Sequence, residues 1–243
     1  MNSEIRRRWF PLVFALVEQA AFKRLPARKK VILLDIYFRV SEHLGLFEQG
    51  WRATPHFTEP DKKWAARLCV SLQCFRDARC ELGRNVTGKT KSQGQGWFTY
   101  RPGYQDHDEK LHATEYQSVL YGRVKRGEGI RCAPLDRHTW AFLIAGLTKK
   151  TDPLEHSDLA AYLAVAHLWE LCGGSIPGKG KILISKNEIR PLTGIPVGVF
   201  MHGLARLSSL GLLKFHTAKQ SRQWAVEIAD WRPIPKEGTH GSL

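Results

Sequence analysis

Six side chains in the last quarter of the chain have the types and spacing to hold a polyanion: Lys186, Arg190, His202, Arg206, Lys219 and Arg222. Lys and Arg neutralise phosphate, and Arg also donates to base edges in the major groove. Two further groups offer the same chemistry. Arg84, Lys89 and Lys91 lie in a run rich in Gly, Ser and Gln, and Arg123, Lys125, Arg126 and Arg131 surround Gly127 and Gly129. The whole chain sets 37 Lys and Arg against 23 Asp and Glu, a net charge of +14. That excess favours nucleic acid first and an acidic membrane surface second.

Other chemistries fail on their surroundings. Gly83 to Thr90 matches the phosphate-loop pattern GxxxxGK[ST]. The pattern works only between a buried strand and a helix, and neither Arg76–Glu81 nor Lys91–Gly96 reads that way. Val31-Ile-Leu-Leu-Asp35 resembles a Mg²⁺-holding strand but precedes the loop and sits in a helical pattern. His107 and His112 lack the two-His helical spacing of zinc hydrolases. With Tyr104, Tyr116 and Tyr121 they leave open a metal-independent endoribonuclease using His as acid and base. Five cysteines (69, 74, 80, 132 and 172) form no CxxC pair, which argues against a zinc or redox motif. Cys69, Cys74 and Cys80 read as small core residues in a reduced, cytoplasmic protein. Trp97, Tyr100, Tyr104 and Trp140 are candidates to stack on unpaired bases, whereas Trp64, Trp169 and Trp224 fall on apolar stripes and read as core. No cofactor and no metal is expected.

The elements that must position these groups follow from periodicity and punctuation. Arg6-Arg7-Arg8 before Trp9–Val17 imitates a signal peptide, but Glu18 follows at once and the run is too short to span a bilayer. Residues 4–24 therefore read as a helix. Helices are also expected over Ala27–Leu46, over Asp61–Leu82, and from a Ser157 or Asp158 cap to Cys172. Tyr116–Val124 reads as a strand, and Asp136–Leu147 as either a helix or a strand. In the last quarter Ser185 and Glu188 have capping-box spacing. Gly194 and Pro196 break that helix, and Phe200, Leu204, Leu207 and Leu210 carry the next. Gly211 ends it, and two short runs around the polar tip Ala218–Gln223 read as a hairpin.

The stretch from 185 to 231 resembles the winged helix-turn-helix domains of bacterial regulators and replication proteins. The resemblance rests on Glu188/Ile189, Leu192-Thr-Gly-Ile195, Val199, Leu204, Leu207 and the Leu210-Gly211-Leu-Leu hinge. It implies that the second helix, 197–210, enters the major groove and that the hairpin wing touches the backbone. A second Leu-Gly, at 82–83, is followed by a polar basic tip and an aromatic run, Trp97-Phe-Thr-Tyr100. This suggests a tandem arrangement similar to plasmid replication initiators, with 84–96 as the first wing. The expected fold is α+β and mostly helical: residues 1–100 helical and winged-helix-like, 101–150 a basic linker with strands, 151–231 a winged helix-turn-helix, and 232–243 a loose tail. The expected function is non-enzymatic recognition of duplex DNA, of replication-initiator or transcriptional-regulator type. The alternative is a subunit of a ribonucleoprotein such as a CRISPR-type effector, with RNA as ligand. Protein partners and a homodimer stay open, and no membrane association is expected.

Overall fold

Residues 9–42, 56–87, 94–105, 111–118, 132–171, 180–217 and 223–228 are described by the computed structural model. The chain is α+β. Its first elements are β1 (Trp9–Val13), α1 (Phe14–Val17), α2 (Ala20–Arg24), α3 (Ala27–Glu42), β2 (His56–Glu59), α4 (Asp61–Arg67) and α5 (Leu72–Leu82). Then come β3 (Gly83–Asn85), β4 (Phe98–Arg101), β5 (Tyr104–Gln105), β6 (Leu111–His112), β7 (Thr114–Ser118), β8 (Cys132–Asp136) and α6 (Arg137–Gly146). The last are α7 (His156–Leu171), β9 (Ile182–Ser185), α8 (Lys186–Thr193), α9 (Val197–Ser209), β10 (Leu213–Thr217) and β11 (Gln223–Ile228).

Helices α3 and α7, each of 16 residues, pack against one another and form the spine. Each is apolar on every side where it is central: Lys30 to Phe38 and Asp158 to Trp169 are buried without interruption. A helix apolar all round has to be covered on both flanks. On one flank α3 carries the sheet β2-β7-β4-β3 with α5, and on the other α7 carries α9 and the sheet β10-β11-β9. The ribbon β1–β8 contacts both helices.

The two flanks repeat one topology. Each runs helix, strand, helix, helix, then two antiparallel strands, and in each the final strand lies between its hairpin partner and the strand before the helix pair. The third helices match residue by residue at a constant offset. Phe75, Ala78, Arg79 and Leu82 are buried on α5 where Phe200, Gly203, Leu204 and Leu207 are buried on α9. Phe75 stacks on Trp64 at 5.8 Å, and Phe200 stacks on Trp224 at 6.2 Å. At the same offset the turn between the helices holds a left-handed residue in both copies, Cys69 at φ 51 and Gly194 at φ 71.

Several sequence expectations are corrected. The helix expected over 61–82 is two helices, broken at Leu68–Ser71, where Ser71 Oγ caps α5 by accepting from Cys74 N at 3.1 Å. The helix expected over 4–24 opens instead with a strand, because residues 9–13 pair with 132–136. Asp136 ends that strand and caps α6, accepting from Thr139 N at 2.7 Å. Residues 84–96 are not the turn of the first hairpin. That hairpin is β4–β7, extended by β5–β6, and Gly83–Asn85 pairs parallel to β4. Trp97 accordingly precedes the first hairpin strand. Residues 101–105 and 111–118, expected in a linker, belong to this sheet and its extension. Cys69 and Cys80 are exposed and Cys74 half-buried, so none is a core residue. Among the described residues no helix is long and apolar enough to cross a membrane.

A buried lysine joins the flanks. Lys30 on α3 donates through Nζ to the Lys23 carbonyl at 3.1 Å and to the Thr193 carbonyl at 2.9 Å, closing the end of α8. Burial lowers its ammonium from 10.5 to about 8. Between those values the unfolded chain holds a proton that the native chain has released, so stability rises with pH. Urea unfolding of the wild type is expected to show a gain of about 2 kcal/mol between pH 8 and roughly 9.5. Lys30→Met is expected to remove that gain.

Candidate nucleic-acid interface

The third helix of each flank presents one face outward, and the two faces differ in chemistry. On α5 the exposed residues are Gln73, Arg76, Asp77, Cys80 and Glu81. Gln73 Nε2 donates to Asp77 at 2.7 Å, Glu81 pairs with Lys29, and Arg76 Nε reaches Asp61 at 3.4 Å with half its side chain in solvent. Gln and Arg are the side chains that read A and G by paired hydrogen bonds. Before α5, the first turn of α4 exposes Lys62 and Lys63. This helix pair is held to the sheet through Asp61, which accepts from Arg79 Nη1 at 2.6 Å, Thr114 Oγ1 at 3.0 Å and Tyr116 Oη at 3.2 Å. Burial first, and then Asp61, push the Tyr116 hydroxyl far above the usual tyrosine range, so it stays a donor.

On α9 the exposed residues are Gly198, Val199, Met201, His202, Ala205 and Ser209. The expected reading residue Arg206 is turned inward. Its Nη2 donates to Asp152 Oδ1 at 2.7 Å and to the Pro153 carbonyl at 2.9 Å, and its Nη1 lies 3.5 Å from Asp158 Oδ2. Asp158 is fully buried and also accepts from Glu155 N at 2.9 Å. Burial raises its carboxyl, and the Glu155 N–H and Arg206 pull it back down. Arg206 therefore braces α9 against the start of α7, with its guanidinium engaged in these contacts.

The other expected contacts divide. His202 and Arg190 are exposed as expected. Lys186 is half-buried, with Nζ 5.4 Å from the Trp224 ring centre. Arg84 is exposed on β3, on the edge of the first sheet. Lys89, Lys91, Arg123, Lys125, Arg126, Arg131, Lys219 and Arg222 lie outside the described residues, as does the tail 232–243. Of the aromatic stacking candidates, Trp97, Tyr100 and Trp140 are buried, and Tyr104 is half exposed and stacks on His112 at 4.5 Å. Tyr116 is in the core, which takes it out of the ribonuclease set.

Sequence reasoning missed Lys62, Lys63, Gln73 and Arg76. The signal was the repeat itself at its correct offset: Phe75, Ala78, Arg79 and Leu82 share the spacing of Phe200, Gly203, Leu204 and Leu207. Among the described residues no three His, Cys, Asp or Glu side chains converge as metal ligands. No family model, no curated protein and no solved structure matches the chain.

Proposed function

We propose that the chain is a non-enzymatic duplex-DNA-binding protein built from two winged helix-turn-helix units, of replication-initiator or transcriptional-regulator type. The observation that carries this reading is the repetition. One order of helix, strand, helix pair and hairpin occurs twice, back to back, in a chain of net charge +14. In this reading α5 and α9 enter successive stretches of major groove, as third helices of such units do. Gln73 and Arg76 read bases from α5. Lys62, Lys63 and Arg190 hold phosphates and set the register.

The test is binding of the full chain to random duplex DNA, single-stranded DNA and RNA over a salt series, with sequencing of what is retained. Enrichment of a duplex motif and a steep salt dependence are expected. Arg76→Ala is expected to cost about 1–3 kcal/mol and to relax one base position. Lys62→Ala is expected to weaken all duplexes alike and reduce the salt slope by about one. Retention of RNA in preference to duplex would overturn the reading and favour a ribonucleoprotein subunit.

A further inference from the structure

We infer that α9 reads thymine, through apolar contact with its 5-methyl group, at a stretch of A·T pairs. The inference rests on the duplex-binding reading and specifies what the second unit recognises. Gly198, His202, Ala205 and Ser209 run along the outward line of α9, with Val199 and Met201 on either side at 40% and 45% exposure. Few groups here can hydrogen-bond. Ser209 Oγ donates back to the Arg206 carbonyl at 2.7 Å, and Arg206 itself is engaged with Asp152 and Asp158. His202 is exposed on this line, and a single imidazole cannot make a paired hydrogen bond to a base edge. The bidentate reading of G or A that α5 offers is therefore closed to α9. The major-groove group that an apolar side chain can read is the thymine methyl.

The fold does not account for Gly198. A methyl group there would meet nothing within 4 Å and its φ is not positive. A bare backbone in the first turn lets the helix approach base edges closely, which is what a short apolar contact needs.

Charge selects DNA over a protein surface. The span from Gly180 to Thr217 holds five Lys and Arg (181, 186, 190, 206 and 214) and one acid, Glu188. With Arg206 paired to Asp152, the span keeps Lys181, Lys186, Arg190 and Lys214, against Glu188 within it and Glu227 opposite Lys214 on the hairpin, a net positive balance that suits phosphates flanking a groove. The same cations repel an identical face of a second copy.

The experiment changes the DNA before the protein. The duplex most enriched from a random library is remade with uracil for thymine, one position at a time, and binding of the full chain is followed by fluorescence anisotropy. Each methyl under α9 is expected to be worth about fourfold in affinity. The double variant Val199→Ser, Met201→Gln changes only exposed residues, so it keeps the fold. It is expected to bind thymine and uracil duplexes equally at those positions with its salt slope unchanged. Equal affinity of the wild type for thymine and uracil duplexes, with tight binding retained, would overturn the inference and leave duplex recognition standing. Absence of duplex binding at every salt concentration would instead overturn the function on which it rests. A wild-type dimer by sedimentation that Met201→Lys converts to monomer, with no thymine preference, would assign the face to a second copy and also overturn the inference.

Discussion

Replacing Asp35 by alanine is expected to cost about 3–5 kcal/mol of stability, read as a lowered urea midpoint with the slope unchanged. Asp35 is 1% exposed in the middle of α3 and serves three donors. Arg67 gives it Nη2 at 2.6 Å and Nε at 3.2 Å, and the Trp140 indole donates at 3.1 Å. Arg67 is fixed in turn by Glu59 at 3.0 Å and lies 4.3 Å over the Trp64 ring. One carboxylate thus joins α3, α4 and α6. Removing it leaves a partly buried guanidinium half-compensated and a buried indole N–H without an acceptor, and that desolvation penalty exceeds the loss of a single hydrogen bond. Asp35→Asn is expected to cost less, because an amide oxygen still accepts. The double change Asp35→Leu, Arg67→Met is expected to recover much of the loss, since an apolar pair of similar volume carries no unpaired charge. The acid that ends Val31-Ile-Leu-Leu-Asp35 has a structural office.

Gly194→Ala is expected to destabilise the protein by roughly 3 kcal/mol or more, measured as a fall in thermal midpoint. The left-handed backbone alone does not explain so large a cost. Cys69 occupies the equivalent turn of the first unit at φ 51 with a side chain in place, and such a conformation costs an ordinary residue about 1–2 kcal/mol. The difference lies in what surrounds the turn. A methyl group on Gly194 would sit 1.9 Å from the Lys23 carbonyl oxygen and 2.6 Å from its carbon. The obstacle is backbone, and the same carbonyl accepts from Lys30. Moving it disturbs the end of α2, the Lys30 bridge and the end of α8 together. Cys69→Ala, where the backbone is equally left-handed, is expected to change the midpoint little.

The second unit could be read from sequence because each of its breaks carries a marker. Gly194 and Pro196 separate α8 from α9, and Gly211 ends α9. The first unit hid its break. Leu68-Cys69-Val70-Ser71 contains neither Gly nor Pro, and Leu68, Leu72 and Phe75 keep helical spacing straight across it. Its hairpin was misplaced for a related reason. Residues 84–96 have the composition of a turn, whereas the pairing of β4 with β7 is a matter of register that no local pattern reveals. At the candidate interface Arg190 and His202 were legible as exposed groups, Lys62, Lys63 and Arg76 were overlooked, and the partners of Arg206 could not be read. Arg206 looks like a free base on an outward helix until Asp152 is brought beside it from a loop 54 residues earlier.

The spine also sets an order of events during synthesis. Residues 30–38 of α3 are made early, but α7, which covers them, is not complete until Leu171. At about 5–20 residues per second the interval is on the order of ten seconds. For that time the nascent chain carries a first unit that is connected and partly paired but has one apolar helix face open. Until α7 is made that face stays uncovered, so a truncation before α7 is expected to yield an aggregation-prone fragment.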